Sequence, residues 1–164
     1  MVTVYVWNFM GKNIAWGHAS MHCEQTYISW WPTGEGRVPS KISQSVYAAS
    51  PFRNQTFQTD QLFEGDGKFL KAPDHSIRIS GLDEVAIKNW WAGFGLVRNG
   101  ALLQGPLPAW TSLGQNCSTV VAKALSIGGG DKYASWYSRT SVIWTPNKIR
   151  EYAVEIQRNI GRKK

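Results

Sequence analysis

The chain has 164 residues, of which 43% are hydrophobic and 18% are charged, and this composition excludes an intrinsically disordered protein. The formal net charge is +7, and no apolar run approaches the roughly 20 residues of a membrane-spanning helix. The length predicts a single domain over residues 1–164. The chain has two cysteines, and its Cys and His residues lack the spacing of zinc ligands. We therefore expect no metal site and no cofactor.

Three antiparallel strands are predicted at the start of the chain, because β-branched and aromatic residues alternate there with other types. Side chains alternate between the two faces of a strand, so His18 shares a face with Ser20 and His22. The predicted strands cover residues 2–9, 14–22 and 26–31.

The loop after the second strand decides which side chains of the third strand meet His18. A loop of two or four residues pairs His22 with Tyr27 and brings Ser29 diagonally across from His18. A three-residue loop would turn the opposite face of the third strand toward His18. The sequence leaves both registers open.

The rest of the chain predicts an irregular insertion over residues 33–80, ending in a short strand, followed by three helices. The first helix covers residues 80–91, and the second begins at Cys117 and stops at Gly128. The last has Thr145 as its N-cap and Pro146 as its first residue.

Cys117 stands where a catalytic cysteine is expected, in the first turn of a helix whose N-terminal partial charge favours the thiolate. Asn116 is a good N-cap, and Gln115 belongs to a polar approach that is poor core material. Backbone N–H groups of this turn, including that of Cys117, could form an oxyanion hole. A distant His18 supplies the base that covalent acyl transfer requires.

Several alternatives remain open at this level. Cys117 also has the spacing of a buried core residue, and a Cys23–Cys117 disulfide would remove the thiolate. His22 is an alternative base and Cys23 an alternative nucleophile.

Three short motifs resemble the circularly permuted NlpC-type branch of papain-like cysteine hydrolases, with variants found in bacterial effectors and toxins. They are residues 17–20 around His18, residues 27–32, and residues 116–119 around Cys117. The helix over residues 82–91 and the helix start at residues 144–147 resemble the effector and toxin variants. The resemblance implies an α+β papain-like fold, in which an antiparallel sheet packs against the cysteine-bearing helix and two further helices. It also implies Cys117 as nucleophile, His18 as general base and acid, and an orienting third residue near Ser29.

The same resemblance implies an antibacterial effector that cleaves amide bonds in peptidoglycan stem peptides. We expect a monomer that is made without a visible signal peptide, exported by a specialised system to a target periplasm, and opposed by an immunity protein. Relatives of this fold also include protein-directed proteases, deamidases and lipid acyltransferases.

An alternative hypothesis, outside the enzymes, is a non-catalytic module that binds glycan or nucleic acid. Residues 146–164 carry six Lys/Arg against two Glu, and the chain has nine tryptophans. A solvated helix face and a core rim are the favoured explanations of these features, so nucleic acid is not the expected partner.

Overall fold

The structure is a computed structural model that describes residues 1–8, 17–31, 45–47, 55–94, 97–98, 101–102, 109–111 and 115–162. This part of the chain is an α+β fold built around a four-stranded antiparallel sheet. Its strands are β1 (Val2–Trp7), β2 (His18–Cys23), β3 (Thr26–Ile28) and β5 (His75–Ile79), in the order β3-β2-β1-β5. Two strand pairs stand apart, β4 (Ser45–Tyr47) with β8 (Ala109–Thr111), and β6 (Val97–Arg98) with β7 (Ala101–Leu102).

The turn between β2 and β3 has the two-residue loop that pairs His22 with Tyr27. The register that brings Ser29 toward His18 is therefore confirmed. The strands are shorter than predicted, because β1 ends at Trp7 and β3 ends at Ile28. The predicted start of the second strand, residues 14–16, lies outside the described residues.

The two faces of the sheet have opposite characters. One face carries the fully buried aliphatic side chains of β1, with Met21 and Ile79 from its neighbours. The other carries aromatic and polar side chains, among them Tyr5, Trp7 and His18.

Two helices supply most of the cover for the aliphatic face. They are α3 (Cys117–Ile127), which contacts β2, and α5 (Pro146–Ile160), which contacts β1 and β5. The buried stripe of α5 comprises Ile149, Tyr152, Ala153, Ile156 and Ile160, which confirms the stripe that its helical spacing predicts. A third helix, α2 (Glu84–Gly93), packs against α3. It begins later than predicted, since Asp83 is its N-cap.

The aromatic and polar face is covered by α1 (Phe57–Glu64), a helix that the sequence did not predict. Phe57 lies 4.4 Å from Tyr5 between ring centroids, and Asp60 is fully buried beneath the helix. The expectation of an irregular segment over residues 33–80 is therefore wrong for residues 57–64. The reason is that the one buried residue of α1 is charged, so no apolar stripe marks the helix.

The remaining elements connect α3 to α5. A 3-10 turn (Gly130–Tyr133) and the four-residue helix α4 (Trp136–Arg139) lie between them. The predicted caps are confirmed, with Gly128 ending α3 and Thr145 accepting from the backbone N–H of Lys148 at the start of α5. In the part of the chain that is described, no helix has the length and apolarity needed to cross a membrane.

Candidate active site

His18 is the first residue of β2 and is held by one nitrogen of its ring. Its Nε2 lies 2.9 Å from Oδ2 of Asp60 and 3.1 Å from Oγ of Ser29. Trp31 stacks on the imidazole with ring centroids 4.2 Å apart. The ring is fully buried. The hydrogen bonds at Nε2 and the stacking of Trp31 together fix its orientation.

Asp60 accepts hydrogen bonds from four side chains. The hydroxyls of Tyr27 and Ser29 donate to Oδ2 at 2.6 and 2.7 Å, His18 also meets Oδ2, and the indole N–H of Trp31 donates to Oδ1 at 2.8 Å. A carboxylate that accepts this many bonds is stabilised in its ionised form. Burial raises the pKa of Asp60, but His18 and the donated hydrogen bonds outweigh burial and hold the pKa below its usual value.

Cys117 is the first residue of α3, and the preceding Asn116 defines where that helix begins. The Asn116 carboxamide oxygen accepts from the backbone N–H of Thr119 at 3.0 Å, and the Thr119 hydroxyl accepts from the backbone N–H of Asn116 at 2.8 Å. This capping box satisfies two backbone donors and places Cys117 at the positive end of the helix dipole.

The folded chain brings Cys117 and His18 together although about a hundred residues separate them in sequence. The sulfur and the imidazole interact electrostatically, and the backbone N–H of Ala19 also stabilises the sulfur. Among the described residues, Nδ1 of His18 has no partner with full hydrogen-bond geometry, and the interaction between Cys117 and His18 is electrostatic. Because Nε2 is occupied by Asp60, Nδ1 is the nitrogen left for the sulfur.

The protonation of the two groups follows from their charges. Burial lowers the pKa of His18. The negative charges of Asp60 and Cys117 together outweigh burial, and the pKa is raised from 6.5 to about 10. Burial raises the pKa of Cys117, but His18 and the hydrogen bonds to the sulfur lower it below the usual value of a thiol. At neutral pH this arrangement favours a thiolate beside an imidazolium.

The predicted third residue, Ser29, does lie beside His18, but it bonds the carboxylate that holds the imidazole. Asp60 is the charged partner that the sequence did not reveal. Its donors Tyr27, Ser29 and Trp31 lie in one short segment, and no local sequence pattern connects that segment with the helix that carries the carboxylate.

The structure confirms Asn116 as the N-cap of α3, and the oxyanion role of the backbone N–H groups at this turn stays a prediction. The Asn116 carboxamide caps α3 and donates through Nδ2 to the carbonyl of Trp144 at 3.0 Å, so it is committed to structure. Gln115 is exposed, one residue before the cap.

Cys23 and His22, the alternative nucleophile and base, are less suited to these roles than Cys117 and His18. Cys23 is fully buried, its thiol donates to the carbonyl of Glu84, and burial with nearby Glu84 raises its pKa to about 11. His22 contacts the Tyr5 hydroxyl at 3.2 Å, and burial lowers its pKa. Both cysteines are free, so the alternative of a Cys23–Cys117 disulfide is wrong.

A groove of about 660 Å³ opens on the Tyr27 side of Asp60, bounded by β2, β3, α2 and the start of α1. It includes His22 and Trp91 but neither Cys117 nor His18, so it is adjacent to the site and separate from the reacting atoms. The described residues contain no cluster of three or more His, Cys, Asp or Glu arranged to bind a metal ion.

The family model of the IcsB middle domain matches residues 68–164, which is more than half of the chain. The chain belongs to this family. The IcsB middle domain match contains Cys117 and α3, whereas His18 and Asp60 precede it. No curated protein and no solved structure matched the chain.

Proposed function

We propose that this chain is a thiol-dependent enzyme that cleaves amide bonds through an acyl-enzyme on Cys117. The observation that carries the proposal is the orientation of His18, whose Nε2 is fixed by buried Asp60 while the rest of the ring meets the sulfur. Nucleophile, base and orienting carboxylate in this order are the parts of a catalytic triad. The order of histidine strand before cysteine helix also supports a permuted papain-like fold.

In the proposed reaction the Cys117 thiolate attacks the carbonyl carbon, a C–S bond forms, and the carbonyl electron pair moves to the oxygen. The imidazolium of His18 then donates its proton to the amide nitrogen, and the C–N bond breaks to release the amine. Water, deprotonated by His18, attacks the thioester, and the Cys117 thiolate leaves to release the acid.

The negative oxygen of each tetrahedral intermediate needs donors in place beforehand. We assign this role to the backbone N–H at the start of α3, with Cys117 itself as the first donor, because the first N–H groups of a helix have no intrahelical partner. Asn116 supports this turn through the capping box.

The substrate we propose is an amide in peptidoglycan stem peptides, cleaved by an exported antibacterial effector. Membership in the IcsB middle domain family supports an effector role, and a net charge of +7 suits an anionic cell envelope. The test is digestion of purified peptidoglycan followed by mass analysis of the fragments, with Cys117→Ala as the control. Cleaved stem peptides with the native chain alone support the proposal, and unchanged fragments refute this substrate.

A second candidate is acyl transfer to an acceptor other than water. The burial of the reacting pair favours it, since His18 is fully buried and Cys117 is only 7% exposed, which limits access of bulk water. Incubation with an acyl thioester, followed by measurement of the intact protein mass, distinguishes acyl transfer from hydrolysis. A stable acyl adduct on Cys117 that is discharged by an added amine faster than by water supports transfer. Discharge at the same rate with and without the amine contradicts transfer and leaves hydrolysis.

A further inference from the structure

Exposed apolar side chains are concentrated in one segment between α4 and α5. Of the nine large hydrophobic side chains exposed in the described residues, four lie within eight positions of the chain. They are Trp136 (71% exposed), Tyr137 (72%), Val142 (96%) and Ile143 (42%). Soluble proteins scatter such residues singly, so a cluster of this kind marks an interaction surface.

Basic residues predominate along this segment. Residues 132–150 contain four Lys/Arg and no Asp or Glu. Lys132, Arg139 and Arg150 are exposed, and the Lys148 ammonium lies 4.0 Å from the centroid of the Tyr137 ring. The acidic residues next to the segment are engaged. Asp131 accepts from Ser126 and Tyr152, and Glu151 accepts from Lys148. Glu155 of α5 accepts from the backbone N–H and the hydroxyl of Ser135 at the start of α4.

This combination fits a lipid surface better than a protein surface. Aromatic rings settle at the boundary between headgroups and acyl chains, where their apolar part is buried and their polar part stays wet. Exposed cations beside them attract anionic headgroups. We propose that residues 136–144 form a docking surface for anionic lipid bilayers, with Trp136, Tyr137 and Val142 entering the headgroup boundary.

The segment is directly connected to the candidate active site. It ends at Trp144, whose carbonyl accepts from Nδ2 of Asn116, the residue that caps α3 in front of Cys117. The Trp144 ring in turn packs on Tyr152 of α5 at 5.6 Å between centroids. A bilayer bound to the segment would therefore lie next to the start of the cysteine helix.

Vesicle co-sedimentation tests the docking surface without reference to any enzymatic reaction. The native chain is mixed with phosphatidylcholine vesicles that either contain or lack phosphatidylserine, and the bound fraction is measured at low and at high salt. We expect binding to the vesicles with phosphatidylserine and a loss of binding at high salt. The double substitution Trp136→Ser/Val142→Ser should weaken this binding by at least about tenfold, because two exposed apolar side chains no longer enter the bilayer.

The matched control is Phe69→Ser/Leu70→Ser, which removes two exposed apolar residues (60% and 51% exposed) in another part of the chain. This control should bind as the native chain does. Absence of native binding to phosphatidylserine vesicles would overturn the proposal and point to a protein partner for the segment. Equal loss of binding in both double variants would also overturn it, because adhesion would then be unspecific. Circular dichroism of each variant verifies that the fold is retained.

Discussion

His18 uses its two ring nitrogens for different purposes. Asp60 and Ser29 hold Nε2, and this fixes which side of the ring meets Cys117. Trp31 adds a second constraint because it stacks on the imidazole and donates to the same carboxylate. Asp60 is thus a positioning residue whose effect reaches the sulfur through the imidazole.

Replacement of the positioning carboxylate tests this division of roles. Asp60→Asn should lower the rate of Cys117 acylation by on the order of 10²–10⁴, since the amide no longer stabilises an imidazolium. Ser29→Ala should lower the rate by only about tenfold, because the carboxylate keeps its contacts with Tyr27 and Trp31. Rates of acylation by a thioester substrate, measured over a pH series, provide the comparison.

Equal losses in the two variants would contradict the assignment. The pH dependence of the acylation rate is a readout that a purely structural defect would not change. Only the loss of Asp60 should shift the part of this pH profile that reports the titration of His18. Circular dichroism controls for folding.

At the residue scale the sequence located Cys117, His18 and Ser29 but not Asp60. Side chains alternate between the two faces of a strand, and this rule places Ser29 near His18 when the loop between β2 and β3 has two residues, as it does in the structure. Asp60 comes from a different element, 42 positions away from His18, and no local pattern connects the two.

At the scale of elements, the start of α3 is tied to the segment that precedes α5. The Asn116 carboxamide caps α3, and its NH₂ group reaches the carbonyl of Trp144 just before α5. The position of Cys117 therefore depends on a helix cap and on a contact with a distant segment.

Asn116→Ala should reduce the free energy of unfolding by about 1–2 kcal/mol, the usual cost of a lost N-cap side chain. It should also slow the alkylation of Cys117, because the helix start that presents the sulfur loosens. Asn116→Asp is the matched variant, since it keeps the capping oxygen but loses the donor to Trp144. Urea denaturation gives both free energies, and an Asn116→Ala variant as stable as the native chain would refute this role of the cap.

Helices with an apolar stripe were predictable, whereas α1 was not. The helix α5 buries five apolar side chains and one proline at helical spacing, so its extent follows from its sequence. The one residue that α1 buries is Asp60, a charge whose burial depends on partners in β2 and β3. Long-range polar pairing of this kind leaves no periodicity.

At the scale of the whole molecule, the buried pair of Asp60 and His18 links stability to pH. The pKa of His18 in the folded chain is raised to about 10, compared with 6.5 for an ordinary histidine. A raised pKa contributes stability that is complete below pH 6.5 and is lost as the pH rises toward the folded value.

Cys117→Ala isolates this titration, because the thiol no longer exchanges a proton with His18. The free energy of unfolding of Cys117→Ala should fall as the pH rises above 6.5. Adding Asp60→Asn removes the charge that raises the pKa, so the double variant should be nearly independent of pH in that window. Below pH 6.5 it should also be less stable by about 3–5 kcal/mol, as expected for a broken buried ion pair. Identical pH slopes in the two proteins, measured by urea denaturation, would contradict this account.

The two residues of the candidate site come from elements that are far apart along the chain. His18 lies on the second strand and Cys117 on a late helix, and the core between them is formed by the sheet with α3 and α5. The family match begins at residue 68, so it covers the cysteine helix but not the strand that supplies His18. Their proximity is a property of the folded molecule as a whole.

The pH dependence of Cys117 alkylation tests the central claim most directly. Iodoacetamide labelling of the native chain, resolved by peptide mass spectrometry, should reach half of its maximal rate well below pH 9.0, the ordinary pKa of a cysteine, while Cys23 remains unlabelled. In His18→Ala the midpoint should move above 9.0, because burial then acts on the thiol without the opposing imidazolium. A midpoint at or above 9.0 in the native chain, or one that His18→Ala leaves unchanged, would contradict an activated cysteine.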